Sequence, residues 1–110
     1  MATRSRLKVD LPGEEPKSIY CHYDGHPENQ LPILNTYYNT PEKAKELISL
    51  GDISYLGKRL EPDPGEIHTF ANPAKDVTLA YHRDGKQKLR FNPWPQMYNY
   101  VFDGDTWELE

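Results

Sequence analysis

The sequence lacks most of the features that announce a function. It has a single cysteine, Cys21, so no intrachain disulfide can form, and a reducing compartment is expected. No apolar run approaches the length of a membrane span, and the opening "MATRSRLKVDL" has no signal-peptide core. The expectation is therefore a cytoplasmic protein with no membrane partner. Charge of one sign is also missing: the 110 residues carry a net −4, divided evenly between the two halves. General nucleic-acid binding draws on clustered Lys and Arg and is disfavoured, and a DNA mimic would need a denser acidic face. There is no C-x-x-C or H-E-x-x-H spacing.

Hydrophobic residues make up only 36% of the chain, but eight tyrosines, three phenylalanines and two tryptophans offset the deficit, since each buried ring removes a large apolar area from water. One domain spanning residues 1–110, with a core of rings, is expected.

In "SRLKVDL", Leu7, Val9 and Leu11 alternate with Arg6, Lys8 and Asp10, the pattern of a half-buried strand. The charges of "RSRLK" suggest an edge strand. "PGEEPK" breaks the chain, and "KSIYCHYDG" makes a second strand, with Ile19, Cys21 and Tyr23 on one face and Tyr20, His22 and Asp24 on the other. A helix is expected to start near Gln30 or Leu31, because Pro32 suits only a first turn. The next is clearer: Thr40 caps, Pro41 takes the first position, Ala44, Leu47 and Ile48 form the stripe, and Gly51 ends it. "GDISYLGK" reads as a short helical turn capped by Asp52. "EIHTF", "VTLAYHRDG" and "QMYNYVFDGDTWELE" favour strands, the last a hairpin around Asp103-Gly104. In it Tyr98, Tyr100 and Phe102 share a face, an aromatic stripe for the core; were both faces apolar, one would serve self-association or a partner. The expected fold is α+β: an antiparallel sheet of about five strands with two short helices packed on one face.

Three constellations carry potential chemistry. His22-x-Asp24 and His82-x-Asp84 are i, i+2 pairs at expected strand ends, where each would present an imidazole and a carboxylate together. On adjacent strands they would form a zinc, iron or manganese site able to activate water, with His68 a fifth candidate. The plainer reading is that each Asp turns the chain and each His bonds across the sheet. Cys21 could be a nucleophile with His22, His68 or His82 as base, but it shares the buried face with Ile19, and His22 points the other way. Arg83, Lys86, Lys88 and Arg90, near Phe91 and Trp94, could grip phosphates and stack a base, or could simply solvate a loop.

The strings "TRS" at residues 3–5, "IYCHYDGHPE" at 19–28, "LGDISYLG" at 50–57 and "AYHRDG" at 80–85 resemble, in order, a recurring family of small bacteriophage and prophage proteins. The family usually has a tryptophan where this chain has Tyr23, and an uninterrupted helix where Pro32 intrudes. The resemblance implies a phage origin and action in the host cytoplasm, and it brings no established activity and no catalytic residues. The expectation is a non-enzymatic, cofactor-free binding protein that inhibits or sequesters a host or antiviral-defence factor, in the manner of an anti-CRISPR, or a small nucleotide. His22, Asp24, His26, His82, Arg83 and Asp84 are the first surface to test, with Lys86, Lys88 and Arg90 beside them. The alternative is a small metal-dependent phosphoester or nucleotide hydrolase with His22, Asp24, His82 and Asp84 as ligands.

Overall fold

Where the local signals are strongest, the chain folds as they dictate. The computed structural model, which describes residues 2–110, has strands β1 (Ser5–Val9) and β2 (Lys17–Cys21), helices α1 (Pro27–Tyr37) and α2 (Pro41–Ser49), and strands β3 (Ile53–Tyr55) and β4 (Leu79–Ala80). Helix α3 (Tyr81–Gly85) and strands β5 (Tyr98–Phe102) and β6 (Trp107–Leu109) complete it. In α2 the Thr40 side chain accepts the Lys43 N–H, and Ala44, Leu47 and Ile48 are buried. Gly51 adopts φ +75° just beyond. β5 and β6 form the expected hairpin, Phe102 facing Trp107, with Asp103 Oδ1 accepting the N–H groups of Asp105 and Thr106 at 2.9 and 3.0 Å.

The class is α+β, but the sheet is mixed rather than antiparallel, and it has six strands in the order β4-β3-β2-β1-β5-β6. β1 runs antiparallel to β2 and parallel to β5; β2 runs parallel to β3. Parallel neighbours need a crossover. The helical pair supplies one, carrying the chain from β2 over the sheet to β3, so α1 and α2 act as a crossover and not as an insertion in a meander. β1 is consequently central, and its cations are not edge protection. Arg6 and Lys8 instead both meet the Glu110 carboxylate at 2.6 Å. Hydrogen bonding from Lys8, with the charges of Lys8 and Arg6, holds that carboxyl below its usual range.

Three segments depart from local propensity. "GDISYLGK" contains a strand, because Ile53 pairs with Cys21 on one side and Ala80 on the other. "EIHTF" joins no strand: Ile67 is 70% exposed while His68 turns inward. In "VTLAYHRDG" only Leu79 and Ala80 are extended. The rest forms a third helix, α3, whose Asp84 carboxylate reaches back to accept the Ala80 N–H at 2.8 Å. Helix α1 begins at Pro27, earlier than expected, and keeps Pro32 inside it.

The expected core of rings is realised only in part: Trp107, Tyr38, Tyr100 and Phe102 are the largest fully buried side chains, but aliphatic residues outnumber them in the core, and Tyr23, Tyr37, Phe70, Phe91 and Trp94 are exposed. Leu7, Val9, Ile19 and Cys21 join α1 and α2 on one face of the sheet. At the outer edge, the Asn35 side chain of α1 does what a further strand would do: its Oδ1 accepts the Trp107 N–H at 2.7 Å and its Nδ2 donates to the Trp107 carbonyl at 3.0 Å. Such plugging suppresses edge-to-edge pairing. Asn35→Ala is expected to lower stability by about 1–3 kcal/mol, the cost of unpaired polar groups, and to give concentration-dependent association through β6. Urea denaturation and light scattering read the two effects, and a monomeric variant of unchanged stability would contradict them.

Candidate functional site

The segment from residue 86 to 97 crosses the polar side of the sheet as a strap, its backbone hydrogen-bonded by groups on or beside successive strands. The Asp52 N–H donates to the Arg90 carbonyl (2.9 Å), Asn92 exchanges hydrogen bonds with Ser18 of β2, and Arg6 of β1 donates to the Pro93 carbonyl (3.0 Å). Gly51 permits the closest approach: a Cβ there would lie 2.7 Å from the Arg90 carbonyl oxygen, on a backbone already at positive φ. Lys17 sits 4.3 Å from the centre of the Phe91 ring, a cation–π contact that pins the strap's middle.

Between the strap, β2 and α3 lies an open cleft of about 430 Å³, lined by Tyr20, Asp52, Tyr81, His82, Gln87, Lys88 and Arg90. A second hollow of about 490 Å³ shares Asp52, Lys88 and Arg90 and continues to Phe91 and Asn92. Asp52 Oδ1 accepts the Tyr20 N–H at 3.0 Å, and burial raises its pKa against the lowering effects of that bond and of Arg90. Burial likewise raises Tyr20 and Tyr81, so both keep their phenolic protons at neutral pH. His82 Nδ1 lies 2.7 Å from the Gln87 carbonyl oxygen, which can only accept. Nδ1 therefore carries a proton, and in the neutral ring Nε2 is left as an acceptor. The Tyr20 hydroxyl also meets His22 Nδ1 at 2.5 Å, which ties His22 to a residue of the cleft wall.

The residues singled out in the sequence divide into three groups. His82, Lys88 and Arg90 line the cleft, and His22 supports it. Arg83 and Asp84 turn into the fold: Arg83 donates to the Leu60 and Thr78 carbonyls at 2.7 Å and to Asp84, whose side chain is almost wholly buried. Asp84 also meets His68 Nε2 at 3.3 Å. His68 Nδ1 accepts the Ala74 N–H at 2.9 Å, which fixes the proton on Nε2, where it faces the Thr78 carbonyl. Asp24, His26 and Lys86 stand elsewhere. Asp24 is an exposed turn residue at φ +58°, and Lys86 ends α3 at φ +56°. His26 precedes α1 and touches Thr3 and Tyr98.

The alternative in which the two His-x-Asp motifs pair on adjacent strands does not match this geometry. β2 ends at Cys21, before His22, and in α3 positions two apart face different directions. Among the described residues no three His, Cys, Asp or Glu side chains are arranged to hold a metal ion, so His22, Asp24, His82 and Asp84 do not form a ligand set. Tyr20, Tyr81, Asp52 and Gln87 were not singled out. The alternation of β2 placed Tyr20 beside His22; nothing local marked Asp52, which reads as a helix cap. A smaller crevice of about 230 Å³ between the β1–β2 turn and α2 has an apolar floor of Val9, Leu11 and Ile48. Its rim is an exposed Lys45–Glu14 pair, and it lacks the convergent polar groups of the larger cleft.

Comparison with family models, with curated proteins and with solved structures finds no match for this chain.

Cys21 is fully buried against Gln30, whose Nε2 lies 3.2 Å from its sulfur, and burial pushes the thiol up to about 11. A thiol is alkylated as its thiolate. Iodoacetamide at pH 8 is therefore expected to leave the folded protein unmodified over hours and to label it completely in urea. Rapid labelling of the native state, read by intact mass, would restore Cys21 as a reactive residue.

Proposed function

We propose that this chain is a non-enzymatic binding protein whose cleft beneath the strap takes a small nucleotide, and that it acts by sequestering that ligand. One observation carries the reading: Lys88 and Arg90 share a single cleft with the rings of Tyr20 and Tyr81. Cations that meet a phosphate beside aromatic faces that can stack a base are the two elements of nucleotide recognition that do not depend on sequence. The cleft volume lies within the range of small-molecule sites, and the cations are held by an anchored strap, so less ordering opposes binding than on a free loop.

The resemblance of the "TRS", "IYCHYDGHPE", "LGDISYLG" and "AYHRDG" blocks to small phage proteins supports a biological setting. In it, the protein works in the cytoplasm of an infected host, and the nucleotide is a signal or substrate of an antiviral-defence factor. Among the described residues no helix is long and apolar enough to cross a membrane, which fits a partner that is not a membrane. Metal-dependent hydrolysis has no comparable support, because its four proposed ligands are dispersed.

Isothermal titration with nucleoside monophosphates tests the reading. Saturable binding is expected in low salt and should weaken as salt rises. Arg90→Ala keeps the backbone carbonyl that anchors the strap and removes the guanidinium. It should weaken affinity by roughly 10- to 100-fold, since a hydrogen bond to a charged group contributes about 1.5–3 kcal/mol. Absence of binding to any nucleotide at millimolar concentration, by a folded protein, would refute the proposal.

A further inference from the structure

The cleft contains a group that a purely anionic ligand would avoid. Asp52 lines both hollows together with Lys88 and Arg90. One of its oxygens accepts the Tyr20 N–H; the other accepts no hydrogen bond among the described residues. His82 Nε2 adds a second acceptor, its ring oriented by the Gln87 carbonyl. A bare phosphate would bring negative charge toward the Asp52 carboxylate, and part of the attraction of Lys88 and Arg90 would be cancelled. The lining therefore suits a ligand with two unlike ends, one anionic and one rich in donors.

The chemistry of the bases narrows that second end. A carboxylate has two acceptor oxygens side by side, and Oδ1 retains a lone pair beyond the one that meets Tyr20. Guanine alone among the common bases presents two adjacent donors, N1–H and N2–H, on its pairing edge. Adenine and cytosine place a donor beside an unprotonated ring nitrogen, which a carboxylate would repel. Uracil offers one donor flanked by carbonyl oxygens. We infer that the cleft is a guanine nucleotide site: Asp52 reads the N1–H and N2–H edge, Tyr20, or the face of Tyr81 not stacked on Phe70, stacks the ring, Lys88 and Arg90 hold the phosphate, and His82 Nε2 accepts from a ribose hydroxyl. The inference rests on the nucleotide reading above and adds to it which base is selected and by which residue. A bidentate contact of this kind discriminates between bases because the wrong base leaves the carboxylate facing an acceptor.

The experiment is a titration of the wild-type chain with GMP, AMP, CMP and UMP in one buffer, followed by the same series with Asp52→Asn. GMP is expected to bind about tenfold or more tightly than the other three. Asparagine keeps an oxygen for the Tyr20 N–H but replaces the second acceptor with a donor. The variant should lose the preference for GMP and gain relative affinity for AMP, with its circular dichroism unchanged. Equal affinity of the wild-type protein for all four nucleotides would overturn the guanine assignment and leave the nucleotide reading standing. Binding of none of them would overturn both. The wild-type series decides the matter even if the variant fails to fold, because base preference is read before any substitution is made.

Discussion

Asp52 touches three parts of the chain that are far apart in sequence. Its N–H donates to Arg90 of the strap, its carboxylate accepts the Tyr20 N–H of β2, and its carbonyl accepts the Tyr81 N–H where α3 begins. One residue thus sets where the strap crosses the sheet, how β3 enters beside β2 and where the chain leaves β4. The cleft is the space these three attachments enclose. Its floor exists because β2 and β3 are parallel neighbours at this point, and its rim exists because the strap cannot lie closer than the Gly51 and Asp52 backbone allows.

The two sides of the sheet are stabilised differently. On the helical side, burial of Trp107, Tyr38, Tyr100 and Phe102 together with the aliphatic side chains of the sheet and helices supplies the driving force, and the polar tips of Trp107, Tyr38 and Tyr100 are matched. Trp107 Nε1 donates to the Tyr38 carbonyl, the Tyr38 hydroxyl to Gly57, and the Tyr100 hydroxyl to Gly25. A buried ring with a polar handle is stable provided the handle finds a partner. On the strap side, cohesion comes from charge and backbone bonds. Glu110 pairs with both Arg6 and Lys8, and the Arg6 guanidinium also holds the Pro93 carbonyl. That side is open and polar.

The legibility of each element followed the origin of the force that forms it. Helix α2 could be read residue by residue because its cap, its first proline, its stripe and its terminal glycine all act within the element. The β5–β6 turn was legible for the same reason, since Asp103 bonds its own neighbours. β3 was not, because three residues have no ladder of their own and become a strand only between Cys21 and Ala80. The second His-x-Asp motif was misplaced because Asp84 is consumed by the Ala80 N–H, by Arg83 and by His68, partners whose positions depend on the whole fold. Half of the cleft was visible as a basic, aromatic-flanked segment. The other half, Tyr20, Tyr81 and Asp52, had no local signature.

The sequence by itself determined the α+β class of the molecule, the burial of Cys21, and a basic segment ahead of the last two strands. These follow from composition, periodicity and turn chemistry, which act over a few residues. The tertiary structure alone decided the strand order, the central place of β1 and the parallel pairs. It also decided which of the polar residues converge. The physical reason is that parallel pairing and strap anchoring are contacts between segments tens of residues apart. Their energies depend on geometry that no local pattern encodes.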